Sequence, residues 1–208
     1  MKIDALLLDE LKSESVIHFY DWEGPSATYG YFIDVSKYLK VPSPLALARR
    51  PTGGGIIFHT IDYAFSVLVP SCHPRFSENT LENYRLINEP VKRAIGAAGL
   101  LAEEPIPLDE ASSHFCMAKP TKYDVMIGSR KVAGAAQRRK KQGFLHQGSI
   151  ALMMPTDFFL DEVLLPGTRV KEGMFAHTHN LVKDVSELEG VRNTLKENLK
   201  RELWRELQ

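Results

Sequence analysis

The chain has 208 residues, 44% of them hydrophobic, enough to bury a proper core, so one domain spanning 1–208 is the expectation. Its 26 basic and 26 acidic side chains balance, which excludes a global field that would recruit nucleic acid or an anionic membrane. Cys72 and Cys116 are too few for a disulfide framework and fit a reducing cytoplasm. No run approaches the about eighteen apolar residues of a membrane span, and acids flank the short apolar N-terminal run, which is no signal peptide.

In chain order, residues 4–12 predict a short helix with Leu7, Leu8 and Leu11 on one side. Ser15 to Tyr20 and Ala27 to Phe32 predict two strands joined through the turn-like Trp22-Glu23-Gly24-Pro25. Ile56 to His59 and Tyr63 to Val69 predict another strand pair, broken by Pro70-Ser71-Cys72-His73-Pro74. Asn79 or Thr80 caps a helix running to about Ala98, with Leu81, Tyr84, Ile87, Val91 and Ile95 as its apolar stripe. Residues 102–122 carry three prolines and read as a long, functional loop. Tyr123 to Ile127 predicts a strand, Gly128-Ser129 a turn, Lys131 to Ala136 the return strand and Gly148 to Met153 a further one. Asp157 to Leu165 and the four-residue spacing of Val191, Leu195, Leu199, Leu203 and Leu207 predict helices. Strands and helices mix without a βαβ rhythm, which points to an α+β fold.

Three places carry candidate chemistry. In Arg49-Arg50-Pro51-Thr52-Gly53-Gly54-Gly55, bare glycines beside guanidinium groups let backbone N–H groups approach a phosphate, an adenylate or a phosphopantetheine arm. Lys131 precedes the small residues Val132-Ala133-Gly134-Ala135-Ala136, so its ammonium lies beside room for a slender ligand carrying a carbonyl or phosphate oxygen. Cys116, in the proline-flanked loop with cations nearby, is a candidate thiolate nucleophile, whereas Cys72 reads as structural. His59 and His146 stand near these motifs and read equally as cleft or as structural histidines. His177-Thr178-His179 and Cys72-His73 lack the spacing of a ligand set, so no metal is assigned. Arg138-Arg139-Lys140-Lys141 reads as a solvated charge run on a turn, with a carrier-docking patch as the sharper alternative.

Arg49 to His59 resembles the first signature of the lipoate–protein ligase A and octanoyltransferase family, and Lys131 to Gln137 resembles its lysine signature. Ile17 to Trp22, Thr28 to Phe32 and Leu145 to Ile150 extend the resemblance over most of the chain, in order. It implies the fold shared with biotin–protein ligases: a large mixed sheet, a smaller sheet and surrounding helices, here without a C-terminal accessory domain. It also implies transfer of an octanoyl or lipoyl group to a lysine amine of a lipoyl carrier domain, as in 2-oxoacid dehydrogenases or the glycine cleavage H protein. Lys131 would contact the acyl carbonyl. Arg50, Thr52, Gly53, Gly54, Gly55, His59, Gly134, Ala135, Gln137 and His146 would make up the acyl-donor site.

Two routes follow from the resemblance. An octanoyltransferase would take octanoate from acyl carrier protein as a thioester on Cys116, the slightly favoured reading. A lipoate ligase would use ATP and Mg to form lipoyl-adenylate, and the uninterrupted glycine triplet resembles ligases. Neither route expects a tightly bound cofactor. The chain departs from the family pattern with Thr60 after His59, with Gln147 rather than a histidine beside Gly148, and with Met1 almost at the first helix. Thr60 and the short N-terminus favour a third reading, a non-catalytic protein that binds lipoate or a lipoyl domain.

Overall fold

The computed structural model describes residues 1–99 and 124–208. Cys116 and the predicted loop 102–122 lie outside the described residues. A five-stranded antiparallel sheet is ordered β1 (Val16–Phe19), β5 (Asp62–Pro70), β8 (Gly143–Ala151), β7 (Arg130–Lys140), β6 (Val125–Ile127). A three-stranded sheet sets β2 (Ser26–Tyr29) between β3 (Ala46–Arg49), parallel to it, and β4 (Ile56–His59), antiparallel. The two sheets with helices at their faces give the expected α+β arrangement.

Period-two alternation gives the large sheet two unlike faces. One face carries Tyr63, Phe65, Val67 and Val69 of β5 and Phe144 and Ile150 of β8. It packs on Ile87, Val91 and Ile95 of α2 (Thr80–Ala97) and on Leu195, Leu199 and Leu203 of α5 (Leu188–Leu207). Asn79 caps α2 by accepting from the Leu81 N–H. The opposite face presents small residues: Ala64 and Ser66 of β5, Ser149 and Ala151 of β8, and Gly134 and Ala136 of β7. At one end α1 (Lys2–Asp9) seals this face with Leu8, and Leu11 follows it against Leu68 and Leu145. The smaller sheet and α3 (Asp157–Val163) and α4 (Val170–His177) form a second core with Phe58, Leu160, Val163 and Met174.

Several expectations change. β1 and β2 follow each other in sequence but lie in different sheets, and so do β4 and β5. The predicted strand pairs are therefore crossings between sheets. Leu81 is exposed, and Leu86 takes its place in the buried stripe of α2. β7 and β8 extend well beyond the predicted spans, so Arg138, Arg139 and Lys140 belong to a strand rather than a turn. Arg139 pairs with Glu78 and Lys140 with Asp9.

Candidate active site

The glycine loop is an ordered bracket between β3 and β4. Its Thr52 carbonyl accepts from the Tyr31 N–H, its Gly55 carbonyl accepts from the Gly30 N–H, and the Arg50 N–H donates to the Tyr29 carbonyl. Only glycine fits at position 30, since a Cβ there would stand 1.9 Å from the Gly54 carbonyl oxygen. Gly54 itself adopts φ 84°, in the left-handed region that glycine tolerates. Arg50 is 3% exposed and turned inward, donating to the Gly53 and Gly55 carbonyls at 3.1 and 2.6 Å and to Thr28 Oγ1 at 2.8 Å. It orders the loop from within. Because a trans peptide sets N–H opposite C=O, the Gly53–Gly54 unit turns its N–H away from that guanidinium. The exposed positive charge beside the loop comes from Arg49, 4.9 Å above the Tyr31 ring.

Lys131 is aimed by a register shift. Val125 faces Ala133, but the next residue of β6, Met126, faces Lys131, so Val132 is the extra residue of a bulge. Val132 and Ala133 both pack into the helix-side core. The alternation is reset, and Lys131 falls on the small-residue face. There its Nζ lies 2.8 Å from Asp124 Oδ2, both side chains nearly inaccessible. Asp124 precedes β6 and Lys131 follows the Gly128-Ser129 turn, so one short hairpin supplies both charges. The Lys131 carbonyl accepts from the His179 N–H, and Thr178 bridges the Lys131 backbone.

A second buried network adjoins the first on the same face. His59 Nδ1 donates to Asp62 Oδ2 at 2.8 Å, and the Ser149 hydroxyl donates to the same oxygen at 2.6 Å. Thr28 Oγ1 accepts from Arg50, so its own proton goes to His59 Nε2 at 2.8 Å. The chain Arg50–Thr28–His59–Asp62 thus ties the glycine loop to β5. Trp22 stacks on the His59 ring at 4.1 Å. Further along, the Thr52 hydroxyl donates to Gln147 Oε1, and Gln147 Nε2 donates to Asp4 Oδ2, which also accepts from the Tyr20 hydroxyl. Burial and then the Asp4 charge push the Tyr20 hydroxyl well above its ordinary pKa, so it stays a donor.

Between the sheets runs a cleft walled by Ile56, Phe58, Ile61, Met153, Met154 and Met174, with Thr60, Asp62, Ser149 and Thr178 supplying polar groups. Its mostly apolar lining with a few polar groups suits a slender apolar ligand with a polar end.

A family model for the lipoyl protein ligase A/B catalytic domain matches residues 1–202. The chain belongs to that family. It is 33% identical to the octanoyltransferase LipM of Bacillus cereus over 96% of this chain and 77% of that protein. A T. acidophilum protein of the lipoate protein ligase type, solved with bound lipoic acid, superposes with a TM-score of 0.71 at 25% identity, over 97% of this chain and 78% of that one. A lipoate-protein ligase A bound with ATP superposes at 0.70 and 24% identity over the same shares, a likeness of fold. The chain is thus an enzyme of the lipoyl ligase and acyltransferase class with that class's two-sheet fold.

Within this family fold, the predicted site residues divide between two faces. Lys131, Gly134, His59, Thr52 and the glycine loop gather on the cleft side. Ala135, Gln137 and His146 fall on the helix side of the sheet, one residue out of phase with Gly134 and Gln147. His146 is fully buried near the Phe65 and Tyr84 rings, its Nδ1 2.9 Å from Gln137 Nε2. Burial lowers its pKa to about 3, so it is neutral. Asp62 supplies the partner that His59 lacks in Thr60, three residues along rather than one. Asp124, Asp62, Thr28 and Thr178 escaped the sequence reading. The signal available for Asp124 was an acid seven residues before Lys131 across a two-residue turn. Among the described residues no group of metal-ligating side chains gathers, and no helix is long and apolar enough to cross a membrane.

Proposed function

We propose that this protein is an octanoyltransferase that moves octanoate from a carrier thioester to the lysine amine of a lipoyl domain. The observation that carries the reading is its 33% identity to the B. cereus octanoyltransferase LipM over nearly the whole chain, joined to a buried lysine on the same sheet face that Asp62, Ser149 and Ala151 present to an apolar cleft. In this reading the eight-carbon chain lies between Ile56, Phe58 and the methionines, over the bare backbone of Gly134. The Lys131 ammonium hydrogen-bonds the acyl carbonyl and stabilises the oxyanion that forms when a nucleophile adds; removing one such donor costs about 10²–10³ in rate. Cys116 is the nucleophile that takes the acyl group from the donor before the lysine amine receives it. Acyl carrier protein is the donor's carrier, and lipoyl domains such as that of the glycine cleavage H protein are the acceptors.

The uninterrupted Gly53-Gly54-Gly55 favours a second reading, an ATP-dependent lipoate ligase that uses the same cleft through an adenylate. Intact masses of the enzyme separate the two. Incubation with octanoyl–acyl carrier protein should add one octanoyl group, and a Cys116→Ala variant should lose it. Modification of an apo lipoyl domain that needs lipoate and ATP and survives Cys116→Ala would establish the ligase reading instead.

A further inference from the structure

The polar end of the cleft holds acceptors that the networks above do not use. Asp62 is 6% exposed and Thr178 is 5% exposed, and both line the cleft. Asp62 spends Oδ2 on His59 and Ser149, yet its Oδ1 is buried with no partner among the described residues. The Thr178 and Thr60 hydroxyl oxygens, in the same lining, are buried without partners too. Leaving one buried polar atom unmet costs about 1–3 kcal/mol. Three unmet oxygens in one apolar cleft therefore mark a place for a hydrogen-bond donor that arrives from outside.

The register places this end beside Lys131. Thr178 bridges the Lys131 backbone directly. Ser149, which holds Asp62, faces Gly134, and Asp124 lies on the far side of Gly134 by the pairing of Val125 with Ala133. Asp62 of β5 and Lys131 of β7 therefore share one face of the sheet, their backbones separated by about 10 Å, two strand spacings. One end of that interval holds a cation suited to a carbonyl oxygen. The other holds a carboxylate suited to an ammonium.

Resting on the acyl-transfer reading, we infer that Asp62 and Thr178 receive the ε-ammonium of the acceptor lysine, and that Asp62 is the catalytic base that deprotonates it. An ammonium has no lone pair and cannot attack; it must lose one proton first. That proton moves to Asp62 Oδ1 and later to solvent. The freed amine bonds the acyl carbon, and the carbon–sulfur bond breaks with its electrons leaving on sulfur. Sulfur takes the second proton shed by the new amide nitrogen, and the third remains as the amide N–H. His59 and Ser149 hold Oδ2 so that Oδ1 keeps its aim, and Arg192 fixes the backbone by donating to the Asp62 carbonyl at 2.9 Å.

The test separates the acceptor step from the donor step. The enzyme is loaded with octanoate from an octanoyl thioester and then offered an apo lipoyl domain or hydroxylamine, an amine already neutral at assay pH. For Asp62→Asn, loading and hydroxylamine release should match wild type while transfer to the lysine falls by about 10²–10⁴-fold, the range of general-base catalysis. Unchanged lysine transfer, or an equal loss with both amines, would overturn the assignment. Should Asp62→Asn fail to fold, Thr178→Val decides, because it leaves the His59 contacts intact. About a tenfold loss of lysine transfer with hydroxylamine release unchanged supports the inference, and equal rates with both amines refute it. A wild-type protein that neither loads nor transfers octanoate would instead overturn the acyl-transfer reading itself.

Discussion

The two faces of the five-stranded sheet are built from the same strands and differ in nearly every respect. On the helix side, Phe65, Val67, Phe144 and Ile150 fill the space against α2 and α5, and the imidazole of His146 there is kept neutral. On the cleft side the same strands carry Gly134, Ala136, Ser149 and Ala64, leaving room; Asp62 lines the cleft and the Lys131–Asp124 pair stands on the same side. The contrast teaches where stability and chemistry reside. Large apolar side chains hold the helix side together, while small residues on the other side concede packing so that a ligand can enter.

The sharpest way to break this comparison is at Lys131. Replacing it with Ala should lower acyl transfer by at least about 10²-fold. It should also lower stability by about 3–5 kcal/mol, because one partner of a buried ion pair is gone. A Lys131→Ala, Asp124→Asn double variant should recover most of the Tm and none of the transfer. Recovery of both would put the pair outside the chemistry.

The converse test lies on the helix side. Phe144→Ala should cost about 3–5 kcal/mol in denaturant unfolding, yet kcat/KM per folded molecule should stay close to that of wild type. A large loss of kcat/KM in the folded fraction would erase the division between the faces.

The buried histidine gives a pH signature of the helix side alone. Unfolding frees His146 to protonate near its ordinary pKa of about 6.5, whereas in the folded protein it stays neutral down to about pH 3. Its contribution is therefore fully present above pH 6.5 and is lost as the pH falls, by about 1.4 kcal/mol per unit. His146→Leu should flatten that slope in urea titrations while leaving acyl transfer at neutral pH unaltered. A smaller effect is expected at the cap of α2, where Asn79→Ala should cost about 1 kcal/mol and leave transfer untouched.

The sequence made some of this legible and hid the rest for physical reasons. The glycine loop and the lysine were readable because both are local: backbone freedom at Gly54 and a small-residue run after Lys131 are properties of short segments. The loop's charge was misread, because whether a guanidinium points out or in depends on carbonyls that the folded loop itself presents. Arg50 turns inward to them, and Arg49 remains outside. The aim of Lys131 depends on one bulged residue, Val132, which no alternation pattern announces. Asp62 was hidden because its role needs His59 of one sheet, Ser149 of the other and Thr178 from beyond α4. The one-residue phase difference between His146 and Gln147 was legible as a change of face, and the structure places the imidazole on the helix side.

The central claim is that the small-residue face seats the acyl group with its carbonyl at Lys131. A crystal structure with an octanoyl thioester bound tests it most directly. The account predicts the carbonyl oxygen within about 2.7–3.2 Å of Lys131 Nζ, with the chain running over Gly134 between the two sheets. A chain seated elsewhere, or a carbonyl held by other donors while Lys131 stays on Asp124 alone, would contradict it.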